Sequence, residues 1–184
     1  MVNYMKKYLI GILIILAVIF VSGCIIGDNS NNENTIQTQT ISKNGVMVRY
    51  PADWVISQST ANGSLVAISN SEYIDSSKVG QVNVNIQKQK LSGSFDTFLN
   101  KTYTAMAKDS SYNLTSSGNI SVNGENGVEY MYTSDLNGTL KEHKAVWIEH
   151  GDEVYVILCS APVNEFDSNL KVFNFIIENF QITA

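Results

Sequence analysis

Charge is in short supply. Only 16% of the 184 residues are Asp, Glu, Lys or Arg, and the 12 basic residues are outnumbered by 17 acids, leaving a net charge of −5. A protein that grips nucleic acid needs a basic face to neutralise phosphate, so that class is excluded. Two cysteines cannot build a disulfide scaffold. Two prolines and 12 glycines exclude collagen-like chains and Pro-rich disorder. The space is filled by 20 Asn, 20 Ser and 11 Thr beside a hydrophobic content of 44%. Length and composition fit one domain behind a leader.

The leader begins with Lys6 and Lys7, followed by an uncharged run from Tyr8 to Val21. Fourteen helical residues reach roughly 21 Å, short of the roughly 30 Å hydrocarbon core. The run ends in Val21-Ser22-Gly23-Cys24, which resembles a lipoprotein signal with Cys24 as the lipidated first residue of the mature chain. Apolar residues continue through Ile25 and Ile26, so an uncleaved anchor of about 18 residues is the alternative. Either reading places the rest of the chain on the extracytoplasmic side of the cell membrane. Residues 1–23 thus read as signal peptide, 24–41 as a flexible tether and 42–184 as the domain. The tether is rich in Asn, Thr and Gln and too poor in apolar residues to offset its ordering entropy. Losing Lys6 and Lys7 with the leader takes the charge from −5 to −7. So acidic a domain is not drawn onto an anionic lipid surface, and membrane contact is expected through Cys24 alone.

Within the domain, alternation marks strands at 46–50 and 81–87, with shorter ones at 55–57 and 65–69. In 81–87 the valines and isoleucine are expected inward and the amides outward. Ser94 is a plausible helix cap, and Phe95, Phe98, Leu99, Thr102 and Met106 share one helical face, with the end near Lys108 or Asp109. Residues 127–161 read as a three-stranded meander with turns at Asn137-Gly138 and Gly151-Asp152. Facing residues then sum to 275 across the first turn and 303 across the second. One face carries Val128, Tyr130, Tyr132, Ala145, Trp147, Val154, Val156 and Leu158. The other carries Met131, Val146, Ile148, Tyr155, Ile157 and Cys159. Because both faces are apolar, each needs a cover. A C-terminal helix capped by Asn164 or Asp167, with Phe166, Leu170, Phe173, Ile177 and Phe180 on one stripe, supplies one cover. The first helix supplies the other. The expected fold is α+β: an α/β/α sandwich with a central antiparallel sheet and helices on both faces.

Chemistry-bearing residues are few. His143 and His150 fall at opposite parity in one strand and cannot share a metal. His150, Asp152 and Glu153 cluster at a turn that could hold a cation weakly, though a solvated turn is the plainer reading. Glu142 and Glu149 also oppose each other in parity, which removes the obvious carboxylate pair. Cys159 sits in a near-continuous apolar strand and reads as a small core residue. No nucleophile elbow, P-loop, dinucleotide fingerprint or zinc-protease motif is present. No enzyme, metal or cofactor is expected. Five N-glycosylation sequons, at Asn62, Asn100, Asn113, Asn119 and Asn137, are close to what the composition gives by chance; Asn62 and Asn137 fall in turns where a glycan could stand in solvent. Tyr73, Tyr103 and Tyr112 form either a sticky surface or half-buried packing.

Three stretches carry a family resemblance. They are Asn44-Gly45-Val46-Met47-Val48-Arg49-Tyr50-Pro51-Ala52-Asp53-Trp54, then Val122-Asn123-Gly124-Glu125-Asn126-Gly127-Val128-Glu129-Tyr130, then residues 173–182, where Asn179 replaces a family Ser. Together they resemble the PsbP-like family, in the form of a secreted lipoprotein member. The resemblance covers roughly residues 42–183 and implies an α/β/α domain with a surface-held accessory role and no assigned reaction. The motif residues also have a structural account: Pro51 ends a strand, Asp53 can bond the turn and Trp54 can plug the core. Two functions follow. One is a lipid-anchored accessory module that binds a protein partner at the membrane surface without catalysis. The alternative is a small-ligand-binding envelope lipoprotein serving a transporter or envelope pathway. A deep pocket with convergent polar groups would favour the second.

Overall fold

The computed structural model describes residues 37–136 and 138–183, which form ten strands and two α-helices. In chain order these are β1 (Thr38–Lys43), β2 (Val46–Pro51), β3 (Trp54–Ile56), β4 (Ser64–Asn70), β5 (Asn83–Lys90), α1 (Phe95–Met106), β6 (Asn113–Val122), β7 (Glu125–Leu136), β8 (Thr139–His150), β9 (Glu153–Pro162), α2 (Val163–Glu178) and β10 (Phe180–Ile182). The strands make two antiparallel sheets, a small one ordered β1-β2-β10 and a large one ordered β3-β4-β5-β9-β8-β7-β6. The meander has the expected register: Gly127 faces Ile148 and Lys141 faces Pro162, on the sums of 275 and 303. Its two faces separate as expected. Val146, Ile148, Tyr155, Ile157 and Cys159 join one core cluster, while Tyr132, Ala145, Trp147, Val154 and Val156 join the other.

The expected α/β/α sandwich is overturned. The domain is mostly β, with two sheets where one was foreseen. The small sheet shares the first core with α2: Val46, Val48, Tyr50 and Phe180 pack in the same cluster as Phe166, Phe173 and Ile176. Against the second cluster lies the 12-residue α1, through Leu99 and Tyr103, with Leu91 and Tyr112 beside it. Beyond it, the outer strand β6 is exposed along almost its whole length, while β7 beside it is covered through Tyr130 and Tyr132. The inference failed because it read apolar residues at the centre of the sheet as a demand for a helix on each side. Burial needs only a cover of apolar or satisfied polar groups, which a second sheet or loops also supply.

Three further differences bear on the site. β1 begins at Thr38, inside the stretch read as tether, and β2 holds it in place by main-chain pairing. α2 starts at Val163 behind Pro162, without the side-chain cap expected from Asn164 or Asp167. Proline supplies a pre-set φ at a helix start and has no N–H to satisfy. Phe180 is buried but lies in β10, facing Val48, rather than on the helix stripe. α1 does begin at its Ser94 cap, whose hydroxyl accepts from the Thr97 N–H at 3.3 Å, and it ends at Met106, short of Lys108.

Candidate functional site

The family motif marks where the chain crosses between sheets. Tyr50 and Pro51 close β2 in the small sheet, and Trp54 opens β3 in the large one. Trp54 is 2% exposed and meets Phe173 edge-on at 6.1 Å, which is the core-plugging role expected of it. Burial raises the Tyr50 hydroxyl pKa. Asp53 is exposed at the turn. These four residues hold the crossover and line no cavity among those described.

The site lies on the other side of the large sheet, on the face that α1 only partly covers. Along β8 that face reads Lys141, His143, Ala145, Trp147. Under α1 it is aromatic: the Trp147 Nε1–H donates to Tyr103 Oη at 2.8 Å, and Tyr103 stacks on Tyr130 at 3.8 Å. Burial raises the Tyr103 and Tyr132 hydroxyls well above the usual phenol range. Tyr112 packs half-buried against both. Tyr73 is half-buried and donates from its hydroxyl to Glu165 at 2.8 Å. The three tyrosines are packing, not a sticky surface.

Past Ala145 the same face turns polar and opens into a cavity of about 300 Å³. Its floor is Asn83, Asn85 and Gln87 of β5, Leu158 and Ser160 of β9, and Lys141 and His143 of β8. Its rim is two loops, 57–61 and 79–80, joined by the Gln58 N–H on the Lys78 carbonyl at 3.0 Å. Gly80 presses its backbone on Ser69, leaving no room for a Cβ. Most of the polar floor is tied down. Asn85 accepts from Ser64 Oγ at 2.7 Å and donates to Ser59 Oγ at 2.8 Å. His143 Nδ1 meets Ser160 Oγ at 2.8 Å, its Nε2 meets Ser134 Oγ at 3.0 Å, and its ring stacks on Tyr132.

Lys141 differs from these. It is 4% exposed, and its side chain makes one hydrogen bond among the described residues, to the Gln81 carbonyl at 3.2 Å. The ion pairs found there involve Lys88, Lys90, Lys144 and His150, not Lys141. Desolvation lowers its pKa. Desolvation, reinforced by the Lys141 charge, also pushes His143 down to about 4. Ser160 beside His143 has the spacing of a nucleophile and its base. A base with so low a pKa accepts protons poorly at neutral pH, and its far nitrogen meets a hydroxyl rather than a carboxylate.

The other candidates are dispersed. His150 meets Glu125, Asp152 pairs with Lys90 and Glu153 with Lys88, so the turn residues do not converge. His143 and His150 take opposite faces, as their parity required: one stacks on Tyr132, the other meets Tyr155 edge-on. Glu142 is half-buried and its carboxyl is raised by burial and by Asp167, whereas Glu149 is exposed. Cys159 is fully buried, and burial pushes its thiol far up. Asn62 is exposed in its turn; Asn137 and Cys24 lie outside the described residues. A larger hollow of about 500 Å³ near Phe95, Glu125 and Glu149 is a surface groove in which Glu149 is exposed and Glu125 is half-buried against His150. Sequence reading missed the cavity because it sent the β5 amides to solvent. The missed signal is that Asn85 faces Leu158 across β9, so its side shares the buried face.

The fold therefore defines a class: a small two-sheet domain closed by a C-terminal helix, with a cavity at one end of its large sheet whose floor carries polar side chains. The chain belongs to the PsbP-like protein family, whose model matches residues 11–182. Among solved structures it is similar to cyanobacterial PsbP (CyanoP) from Synechocystis sp. PCC 6803, at 12% identity and a TM-score of 0.57, covering 84% of this chain and 98% of that one. It is also similar to LpqN, involved in cell envelope biogenesis of Mycobacterium tuberculosis, at 17% identity and a TM-score of 0.55, covering 82% and 93%. At these identities the likeness concerns the fold. No curated protein matches the chain.

Proposed function

We propose that this chain is a non-catalytic envelope module that binds a small polar ligand and is held at the extracytoplasmic face of the membrane by lipid on Cys24. The observation that carries the reading is the 300 Å³ cavity with a buried lysine and three amide side chains in its floor. Concave sites with few convergent polar groups are where small molecules bind. Membership of the PsbP-like family supports an accessory role, and the envelope role of LpqN supports the location. The signal-like leader supports the anchor.

A second reading has its own support. β6 is the outer strand of the large sheet, ten residues long, without a charged residue. Strand edges of that kind accept an extended segment from another protein, which would make the module a protein-binding one.

The test is native mass spectrometry of the full-length protein released from its own membranes in mild detergent. Wild type is compared with Ala61→Trp, which fills the cavity from its rim, and with Cys24→Ser. A small-molecule adduct present in wild type and lost in Ala61→Trp is the expected result. Release of Cys24→Ser from the membrane fraction is expected alongside it. A folded, anchored wild type that carries a partner chain and no adduct would overturn the ligand reading in favour of the second.

A further inference from the structure

We propose that the cavity binds the carboxylate of a small organic acid, with the Lys141 ammonium as its counter-charge and the Asn83, Asn85 and Gln87 amides reading the hydroxyl or amide groups beside it. The proposal rests on the ligand reading above and goes further by assigning the ligand's charge.

A lysine is almost never this buried unless it is paired. Taking an ammonium out of water costs several kcal/mol, and an acidic partner ordinarily offsets part of it. Lys141 is 96% buried on its exposure of 4%, yet it has one neutral acceptor among the described residues. An ammonium carries three N–H donors, so two remain beyond the Gln81 carbonyl. Two donors at the floor of a cavity match the two oxygens of a carboxylate. A single positive charge balances a single negative one. A phosphate dianion would leave an excess charge in a domain whose overall balance is already acidic, so the carboxylate fits better.

The neighbours fix what else the ligand must offer. His143 is neutral at physiological pH, and both its ring nitrogens are already engaged by Ser160 and Ser134, so it adds no second cation. Asn83 donates to the Gly80 carbonyl at 2.7 Å and keeps its amide oxygen as an acceptor. Leu158, Ala67 and Val79 give apolar contact around these polar groups. A ligand for this space is about the size of one sugar ring or one acylated amino acid: an acid at one end, donors along one edge, and a short apolar flank.

The experiment uses the full-length chain in detergent and two matched probe pairs, D-glucuronate against D-glucose and N-acetyl-alanine against N-acetyl-alaninamide. Binding is followed by amide chemical shifts and calorimetry. The expected result is that at least one acid binds about tenfold or more tighter than its neutral partner, the difference a charge-assisted hydrogen bond supplies. Lys141→Met should erase that preference, and Lys141→Arg should keep most of it. Ala61→Trp should abolish binding of both members of a pair. If acid and neutral probe bind alike and Ala61→Trp abolishes both, the cavity reading stands and the carboxylate proposal is overturned. If no probe moves the cavity resonances, both fall.

Discussion

The two faces of the large sheet bury the same strands by opposite means. Toward α2 and the small sheet, Val84, Ile86, Val146, Ile148, Ile157 and Cys159 are all fully buried, and Phe173 and Ile176 close over them. Toward α1, the same strands present Trp147, Val154 and Val156 at one end and Lys141, His143, Ser160 and Asn85 at the other. The first face is held by apolar area, which needs volume and no particular partner. The polar end of the second is held by a list of satisfied hydrogen bonds, and one group, Lys141, is buried without a matching charge among the described residues. An apolar face tolerates rearrangement in proportion to volume. A polar one is all or nothing at each atom, and a buried cation there marks a place that folding alone does not explain.

The largest expected effect probes the apolar face. Phe173→Ala removes a fully buried ring that touches both Trp54 and Phe166. It should cost about 3–5 kcal/mol by denaturant unfolding, because no neighbour can collapse into the space left between two sheets and a helix. Val79→Ala, a smaller truncation at the half-buried cavity rim, should cost far less. Similar losses at both positions would erase the contrast between the faces.

The second effect is a pH dependence that belongs to the polar end. His143 sits at about 4 in the fold against an ordinary value near 6.5, so the unfolded chain binds more protons between those values. Stability is therefore full above about pH 6.5 and falls as pH drops through the window toward 4. The shift corresponds to a total of about 3 kcal/mol. His143→Asn should remove that part of the slope, so wild type should lose stability relative to the variant steadily from pH 7 to pH 4. Parallel curves would mean that His143 is not held neutral by its surroundings.

The contrast also explains what sequence could show. The apolar face was legible: the alternation of Val146, Ile148, Tyr155 and Ile157, with one strong hairpin turn, gave register to the residue. β1 and β6 were not legible, because T-Q-T-I-S-K and N-L-T-S-S-G-N-I-S-V alternate in nothing that burial would select. Without β1 and β10 the small sheet was invisible, and a helix was the expected cover. The cavity was half legible. Lys141 and His143 share the parity of Ala145 and Trp147, which places them on a buried face. But parity cannot say whether a polar residue there finds a partner, and that absence is what singles out Lys141.

The smallest expected effect separates function from folding most sharply. Lys141→Met keeps the length and apolar stem of the side chain and removes its charge. The Gln81 carbonyl loses one charge-assisted hydrogen bond, worth about 1.5–3 kcal/mol. Against that stands the desolvation of an ammonium with no acidic partner among the described residues, which lowers the Lys141 pKa and so disfavours the charged form in the fold. A folded pKa below the unfolded one means that stability is deficient wherever the unfolded lysine is charged, and recovers only as pH rises toward 10.5. The variant should therefore be as stable as wild type at pH 7 or more stable by about 1 kcal/mol, as replacing buried charges with apolar residues often is. A residue whose removal stabilises the fold while erasing the preference for acids is one kept at its position by the ligand. Were Lys141→Met to lose several kcal/mol instead, the lysine would be a strut of the rim, and the two faces of the sheet would differ in composition but not in purpose.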